Sequence, residues 1–285
     1  MELWIPITLF AAVMQVARTG WQKSLLADLD GWAVTWLRFG FALPFAPLYL
    51  LAQPAPIPAP NAAFLAYTAC AAAAQIGATA ALVWLFSRRN FAVCTAFSKT
   101  EAVQIALLGA LFFDFSLSAA ETAGIALGAF GVLLLLPRGG GAGASFAGVA
   151  VGGGFALTAL FLKKAVLHLD SDSPAASAAL ALFVMLFLQA FLLGAVLCWK
   201  KRLHAAAIWR VRRRALAVGV SSFLGSAGWL TAFALTHPAL VKTLAQAELP
   251  LAYLLGRAAF SEKPRATEIC GMLACAAAAI IAALA

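Results

Sequence analysis

Residues 92–113 read AVCTAFSKTEAVQIALLGALFF, and residues 239–260 read ALVKTLAQAELPLAYLLGRAAF. A shift of 147 positions lays Glu101 on Glu248, Gly109 on Gly256 and Phe113 on Phe260. Beyond these stretches the same shift lays Ala119 on Ala266, Glu121 on Glu268 and Gly124 on Gly271. Each stretch has the length, about twenty residues, that crosses about 30 Å of hydrocarbon as a helix. Each also holds one carboxylate near its middle, a costly placement whose default reading is functional. The same carboxylate in two related halves points to a duplicated transporter with its site at the repeat interface.

Composition supports a membrane chain. Of 285 residues, 64% are hydrophobic and 11% charged, and the mean hydropathy is +0.94. Soluble domains hold about 45–50% apolar and about 25% charged residues. The net charge of +9 does not indicate nucleic acid. Lys200, Lys201, Arg202, Arg210, Arg212, Arg213 and Arg214 flank a single loop, the pattern of an orientation signal facing an anionic leaflet. Cys70, Cys94, Cys198, Cys270 and Cys275 form no CxxC pair and no metal spacing with histidine. They read as small buried hydrophobes. Arg18 and Lys23 interrupt the first apolar run, which therefore reads as a retained span instead of a cleaved signal.

Turn chemistry divides the chain into ten segments. The first half, residues 1–138, holds spans at 3–26, 31–52, 61–86, 91–113 and 119–137. The second, residues 144–285, holds spans at 144–167, 175–199, 215–236, 238–260 and 266–285. Pro238 suits the first turn of its helix, where the missing N–H has no partner to lose. Five spans per half is odd, so the second half enters the membrane from the opposite side. The expected fold is all-α and integral to the membrane: ten transmembrane helices as two inverted five-helix repeats around a central cavity. Gly124, Gly128 and Gly131, with Gly148 and Gly152, form small-residue faces that serve as internal packing seams or as a homodimer interface.

The two quoted hairpins resemble the EamA-like drug/metabolite transporters. In each, the glutamate-bearing helix is followed by an acidic residue and a glycine, Glu121 with Gly124 and Glu268 with Gly271, and the second adds an EKPR turn at 262–265. The resemblance implies a basket lined by the first four spans of each half, with the fifth and tenth outside it. It implies secondary transport of a small molecule, in a plasma membrane of bacterial inner-membrane type, without a cofactor. Lys99 and Lys242 beside the glutamates depart from many relatives.

The expected substrate-binding or coupling set starts from Glu101 and Glu248. Lys99 and Gln104 share the first glutamate's helix, and Lys242 and Gln246 share the second's. Thr95 and Ser98 extend the first polar sector. Under the shift, Lys242 overlies Thr95 and Gln246 overlies Lys99, so each half offers one lysine, displaced by one turn. Gln15, Arg18 and Gln22 form a polar stripe on the first span. Arg38 lies inside the second, and it and Arg18 either line the cavity or snorkel. Trp229, Trp21 and Trp84 are stacking candidates; Trp4, Trp32, Trp199 and Trp209 read as interfacial anchors. Glu121 and Glu268, near helix starts, read as capping groups. Lys163 and Lys164 read as reaching headgroups, Gln75 and Gln189 as bonding across helices.

Other functions fit less well. An embedded enzyme needs a nucleophile with a base, or a metal cluster. His168, His204 and His237 all fall at helix ends, and neither GxSxG nor HExxH occurs. The glycine run 139–143 lacks a following GK[ST] and reads as a connector. A multidrug or organic-cation carrier, a passive channel and a lipid scramblase remain as alternatives. The positive excess among Arg18, Arg38, Lys99 and Lys242 over Glu101 and Glu248 favours a small anion or zwitterion, amino-acid-like before drug-like, moved by export, exchange or proton coupling.

Charge also sets an orientation. Arg88, Arg89, Arg138, the seven-residue basic cluster, Lys263 and Arg265 share one face, whereas the termini share the other with Asp114, Asp170 and Asp172. The positive-inside rule places both termini outside the cytoplasm, against the habit of ten-helix relatives. A C-terminal reporter active only in the cytoplasm is expected to stay silent; activity there overturns the assignment.

Overall fold

Capping and proline chemistry set where the helices begin. Asp30 Oδ1 accepts from the Trp32 and Ala33 backbone N–H groups, at 2.7 and 3.3 Å. Asn61 caps the next long helix through Phe64 N–H, at 2.8 Å. Ser173 precedes Pro174, and His237 precedes Pro238, each accepting from the second helical N–H or the next. The structure, a computed structural model, describes residues 2–88, 94, 100–112, 119–135, 142–260 and 266–284.

The helices are α1 (Trp4–Leu25), α2 (Gly31–Gly40), α3 (Phe45–Leu51), α4 (Ala62–Phe86), α5 (Glu101–Phe112), α6 (Ala119–Leu135), α7 (Ala142–Leu167), α8 (Pro174–Trp199), α9 (Ala205–Arg210), α10 (Arg212–Leu235), α11 (Pro238–Leu244), α12 (Glu248–Phe260) and α13 (Ala266–Leu284). No strand occurs among the described residues. Among the described residues, five stretches are long and apolar enough to cross a membrane: Gly31–Leu51, Ala62–Phe86, Phe146–Leu167, Pro174–Trp199 and Arg212–Leu235. α1 has the length but not the mean hydropathy, because Gln15, Arg18, Gln22 and Lys23 interrupt it.

Three details differ from the sequence segmentation. The span expected at 31–52 is two helices joined by a tight helical turn at residues 41–44, where Pro44 lacks an N–H to continue the ladder. The basic loop contains the short helix α9. The helix expected at 238–260 is broken by a 3-10 turn at Ala245–Ala247. Pro250 explains that break. Its ring denies a hydrogen bond to the Gln246 carbonyl, and proline is tolerated only in a helix's first turn. The helix therefore restarts at Glu248, with Pro250 third in α12. Glu101 likewise heads α5.

Packing follows a pattern of exchanged partners. α1 lies along α10, and α4 along α7; α6 lies along α13. α5 rests on α7, and the segment from α11 to α12 rests on α1. The apolar core runs from Phe39 and Phe64 through Leu160, Leu182 and Met185 to Leu240 and Val241. Close approaches are made by glycine. A Cβ at Gly152 of α7 would collide with Thr100 Oγ1 and lie 3.1 Å from the Glu101 backbone N. One at Gly124 would meet Ile281 of α13, and one at Gly128 would lie 2.5 Å from Gln246 Nε2. Gly124, Gly128 and Gly152 thus sit in seams within the chain.

Several side chains sit elsewhere than expected. Lys163 does not reach for headgroups: its Nζ donates to the carbonyls of Phe233 and Thr236, at 2.8 and 3.3 Å. A cation there satisfies terminal carbonyls of α10 and complements the negative end of its dipole. Trp4 is buried, not an interfacial anchor, whereas Trp32, Trp199 and Trp209 are exposed.

The seams predict contrasting substitutions. Gly152→Leu should cost about 1–3 kcal/mol by overpacking against backbone. Gly77→Ala, whose Cβ meets nothing within 4 Å, should be neutral or stabilising by up to about 1 kcal/mol through helix propensity. Thermal unfolding in detergent reads both; equal effects would contradict the packing.

Candidate functional site

Helical spacing gathers the central side chains. On α7, Phe155, Thr158, Ala159 and Leu162 recur at one face, as do Ser226, Trp229, Leu230 and Phe233 on α10. Gln15 of α1, Arg38 of α2, Gln75 of α4, Glu101 of α5 and Lys242 of α11 complete a cavity wall among the described residues. The cavity is small, with a volume of about 30 Å³. That is enough for one or two waters. Among the described residues, α6 and α13 contribute nothing to this wall.

A chain of contacts crosses the cavity. Lys242 Nζ lies 3.2 Å from Glu101 Oε1 and 4.1 Å from the centre of the Trp229 ring. The indole of Trp229 donates to Gln15 Oε1 at 3.0 Å, and Gln15 Nε2 donates to Glu248 Oε1 at 3.2 Å. Trp229 therefore presents its π-face to the lysine cation and its N–H edge to the amide that holds the other glutamate. Glu101 is 2%, Glu248 1% and Lys242 7% exposed. Both carboxylates begin helices, where the positive dipole end favours an anion.

The two glutamates have different surroundings. Glu101 carries the close ion pair. Glu248 accepts from Gln15, and Arg18 lies within the electrostatic reach of Glu248 first and Glu101 second. Arg18 is buried, and its Nε and Nη1 have no hydrogen-bond partner among the described residues. Arg38 donates to Thr79 Oγ1 and lies over the rings of Phe39 and Phe155, at 5.3 and 5.9 Å. Neither arginine snorkels. Among the described central groups, Arg18, Arg38 and Lys242 face Glu101 and Glu248, an excess of one positive charge.

Of the expected set, Glu101, Lys242, Gln15, Arg38 and Trp229 meet at the cavity. Glu248 joins through Gln15, and Arg18 lies behind. Gln22 is buried one turn along α1, off the wall. Gln246 is buried in the 3-10 turn against Gly128. Gln104 turns away, donating to Thr100 Oγ1 and to the Val149 carbonyl, each at 3.1 Å. Its long amide fills the groove that Gly152 and Gly153 leave on α7. Trp21 and Trp84 are exposed, so they cannot stack on a substrate at the centre. Lys99, Thr95 and Ser98 lie outside the described residues, as do the side chains of Glu121 and Glu268.

Sequence reasoning missed Gln75, Phe155, Thr158, Ser226 and Phe233 as wall residues. The amide of Gln75 accepts from Gln189 at 2.8 Å, the cross-helix bond expected of the two glutamines, but it also faces the cavity. Thr158 and Ser226 are small and hide in apolar runs; only their fixed spacing from bulky aromatics marks them. No group of three or more His, Cys, Asp or Glu side chains able to hold a metal occurs among the described residues.

A solved crystal structure of a protein matches this chain with a TM-score of 0.67 over 98% of each chain, at 17% identity. That likeness shows a shared fold. No family model and no curated protein matches the sequence.

Proposed function

We propose that the chain is a secondary membrane carrier for a small anionic or zwitterionic metabolite, of the EamA-like drug/metabolite type. The observation that carries this reading is the buried run from Glu101 through Lys242, Trp229 and Gln15 to Glu248 beside a central cavity. Burying ions costs several kcal/mol each before their attraction offsets it, and apolar residues of similar volume often hold a fold as well or better. Function is a better reason for such a cluster than stability.

Ten spans in two inverted halves, residues 1–138 and 144–285, account for the exchanged packing. If the first span corresponds to the sixth and the third to the eighth, then α1 on α10 and α4 on α7 are one contact seen twice. α5 on α7 and the α11–α12 segment on α1 are likewise equivalent. The arrangement suits alternating access, with the small cavity as a closed stage that must widen to admit substrate. The helix interrupted by a 3-10 turn just before Glu248 fits the same picture.

The cavity wall carries Arg38 and Lys242 against Glu101, a polarity that receives a carboxylate or phosphate. A permanent organic cation meets repulsion there. Glu101 and Glu248 are then available to receive an amine or to carry a proton. Secondary transport needs no cofactor. The chain resides, on this reading, in a bacterial inner (plasma) membrane.

Counterflow into proteoliposomes tests this, using a panel of α-amino acids and small carboxylates with tetraethylammonium as the cationic control. Saturable exchange of a carboxylate-bearing compound is expected. Lys242→Ala should weaken its half-saturation by roughly tenfold or more, as loss of a charge-assisted contact of about 1.5–3 kcal/mol implies. Glu101→Gln and Glu248→Gln should insert and remain monodisperse, yet turn over slowly and to different extents. Normal transport by both glutamine variants, or tight tetraethylammonium uptake indifferent to Lys242, would overturn the assignment. Unsaturable flux would favour a channel.

A further inference from the structure

At the end of the bundle where basic residues gather, a groove opens along α2 and α4, away from the central cavity. Its volume is about 640 Å³. Gly77, Ala80 and Ala81 of α4 form a small, apolar floor, and beyond Gly77 lies open space. Trp32 and Trp84, 43% and 44% exposed, stand along it. Ser87 and Arg202 close its mouth, and Arg88 lies over the Trp84 ring at 4.6 Å. The acid on the wall, Asp30, is engaged in capping α2.

A particular backbone turn brings Arg202 there. After α8, the Lys201 N–H bonds the Cys198 carbonyl at 3.0 Å and the Arg202 N–H bonds the Leu197 carbonyl at 2.8 Å. This pair of bonds closes a helix through a residue in the left-handed region, normally glycine. Lys201 occupies that region with φ 53°. A lysine there carries a steric cost that glycine would not, and the turn it makes sets the next residue, Arg202, on the groove.

From Gly77 to Ser87 the floor rises about 15 Å along the helix, half the thickness of a bilayer's hydrocarbon core. We propose that this groove binds one anionic phospholipid. Its phosphate rests against Arg202 and Arg88, and one acyl chain lies along Gly77, Ala80 and Ala81 between the two tryptophans. A free phosphate would leave the floor uncovered, and a neutral headgroup would not use the arginines. The inference rests on the membrane placement alone and stands whether or not the central site transports.

Native mass spectrometry of the purified chain tests it, with phosphatidylglycerol and phosphatidylcholine of identical acyl chains as probes. The unaltered protein should retain one phosphatidylglycerol about tenfold more strongly than phosphatidylcholine, given two basic residues at the headgroup. Arg202→Glu should abolish the preference, and Gly77→Leu, which fills open space, should lower retention of both lipids. Glycerol phosphate should not displace the bound lipid. Equal retention of the two lipids by the unaltered protein overturns the proposal. So does a preference that survives both substitutions, or displacement by glycerol phosphate, which would mark a simple anion site.

Discussion

The ion pair between Glu101 and Lys242 sets the constraint that the centre of this molecule must satisfy. It joins a carboxylate at the start of α5 to an ammonium on α11 where both are almost fully buried. Such a pair has to be held by close surroundings. Gly152 lets α7 approach the start of α5, and the Trp229 ring covers the lysine. Gln15 accepts from the N–H edge of that ring and fastens Glu248. The small residues, the aromatic stripe on α10 and the helix starts at the glutamates all serve the same few polar atoms.

The second organising feature is the interrupted helix. A continuous helix through 238–260 would bury its polar backbone in its own hydrogen bonds. Pro250 prevents that and leaves a 3-10 turn at Ala245–Ala247, directly before Glu248. Short 3-10 stretches within a helix often mark hinges. Here the turn separates Lys242 from Glu248, so the two charged groups belong to different helical segments. Movement of α11 relative to α12 would change the distance between the lysine and each glutamate without unfolding either segment.

Helix content and the main polar residues were legible because membrane helices depend on length and apolarity, which survive in composition. The 147-residue shift brought Glu101 and Glu248 forward directly. What failed has identifiable causes. Pro250 was present in the quoted stretch, but the apolar run around it outweighed its missing N–H. Gln104 shares a helix with Glu101, yet three positions along it faces α7, not the centre. Lys163 looked like a residue at a membrane surface because its partners, two backbone carbonyls at the C-terminal end of α10 and its cap, lie some 70 residues away in sequence. Thr158, Ser226 and Gln75 gain meaning only from which helices meet, and that information is tertiary.

The central claim is that the buried pair exists for ligand recognition and not for cohesion. The most direct test replaces both members with apolar residues of similar length, Glu101→Met with Lys242→Met, and follows thermal unfolding with and without a transported carboxylate. Removing both charges together avoids the penalty of stranding one of them. The account predicts a melting temperature equal to or above that of the unaltered protein, with the ligand-induced rise, which reports binding to the native state, abolished. A large fall in melting temperature with the ligand-induced rise intact would contradict it and make the pair structural.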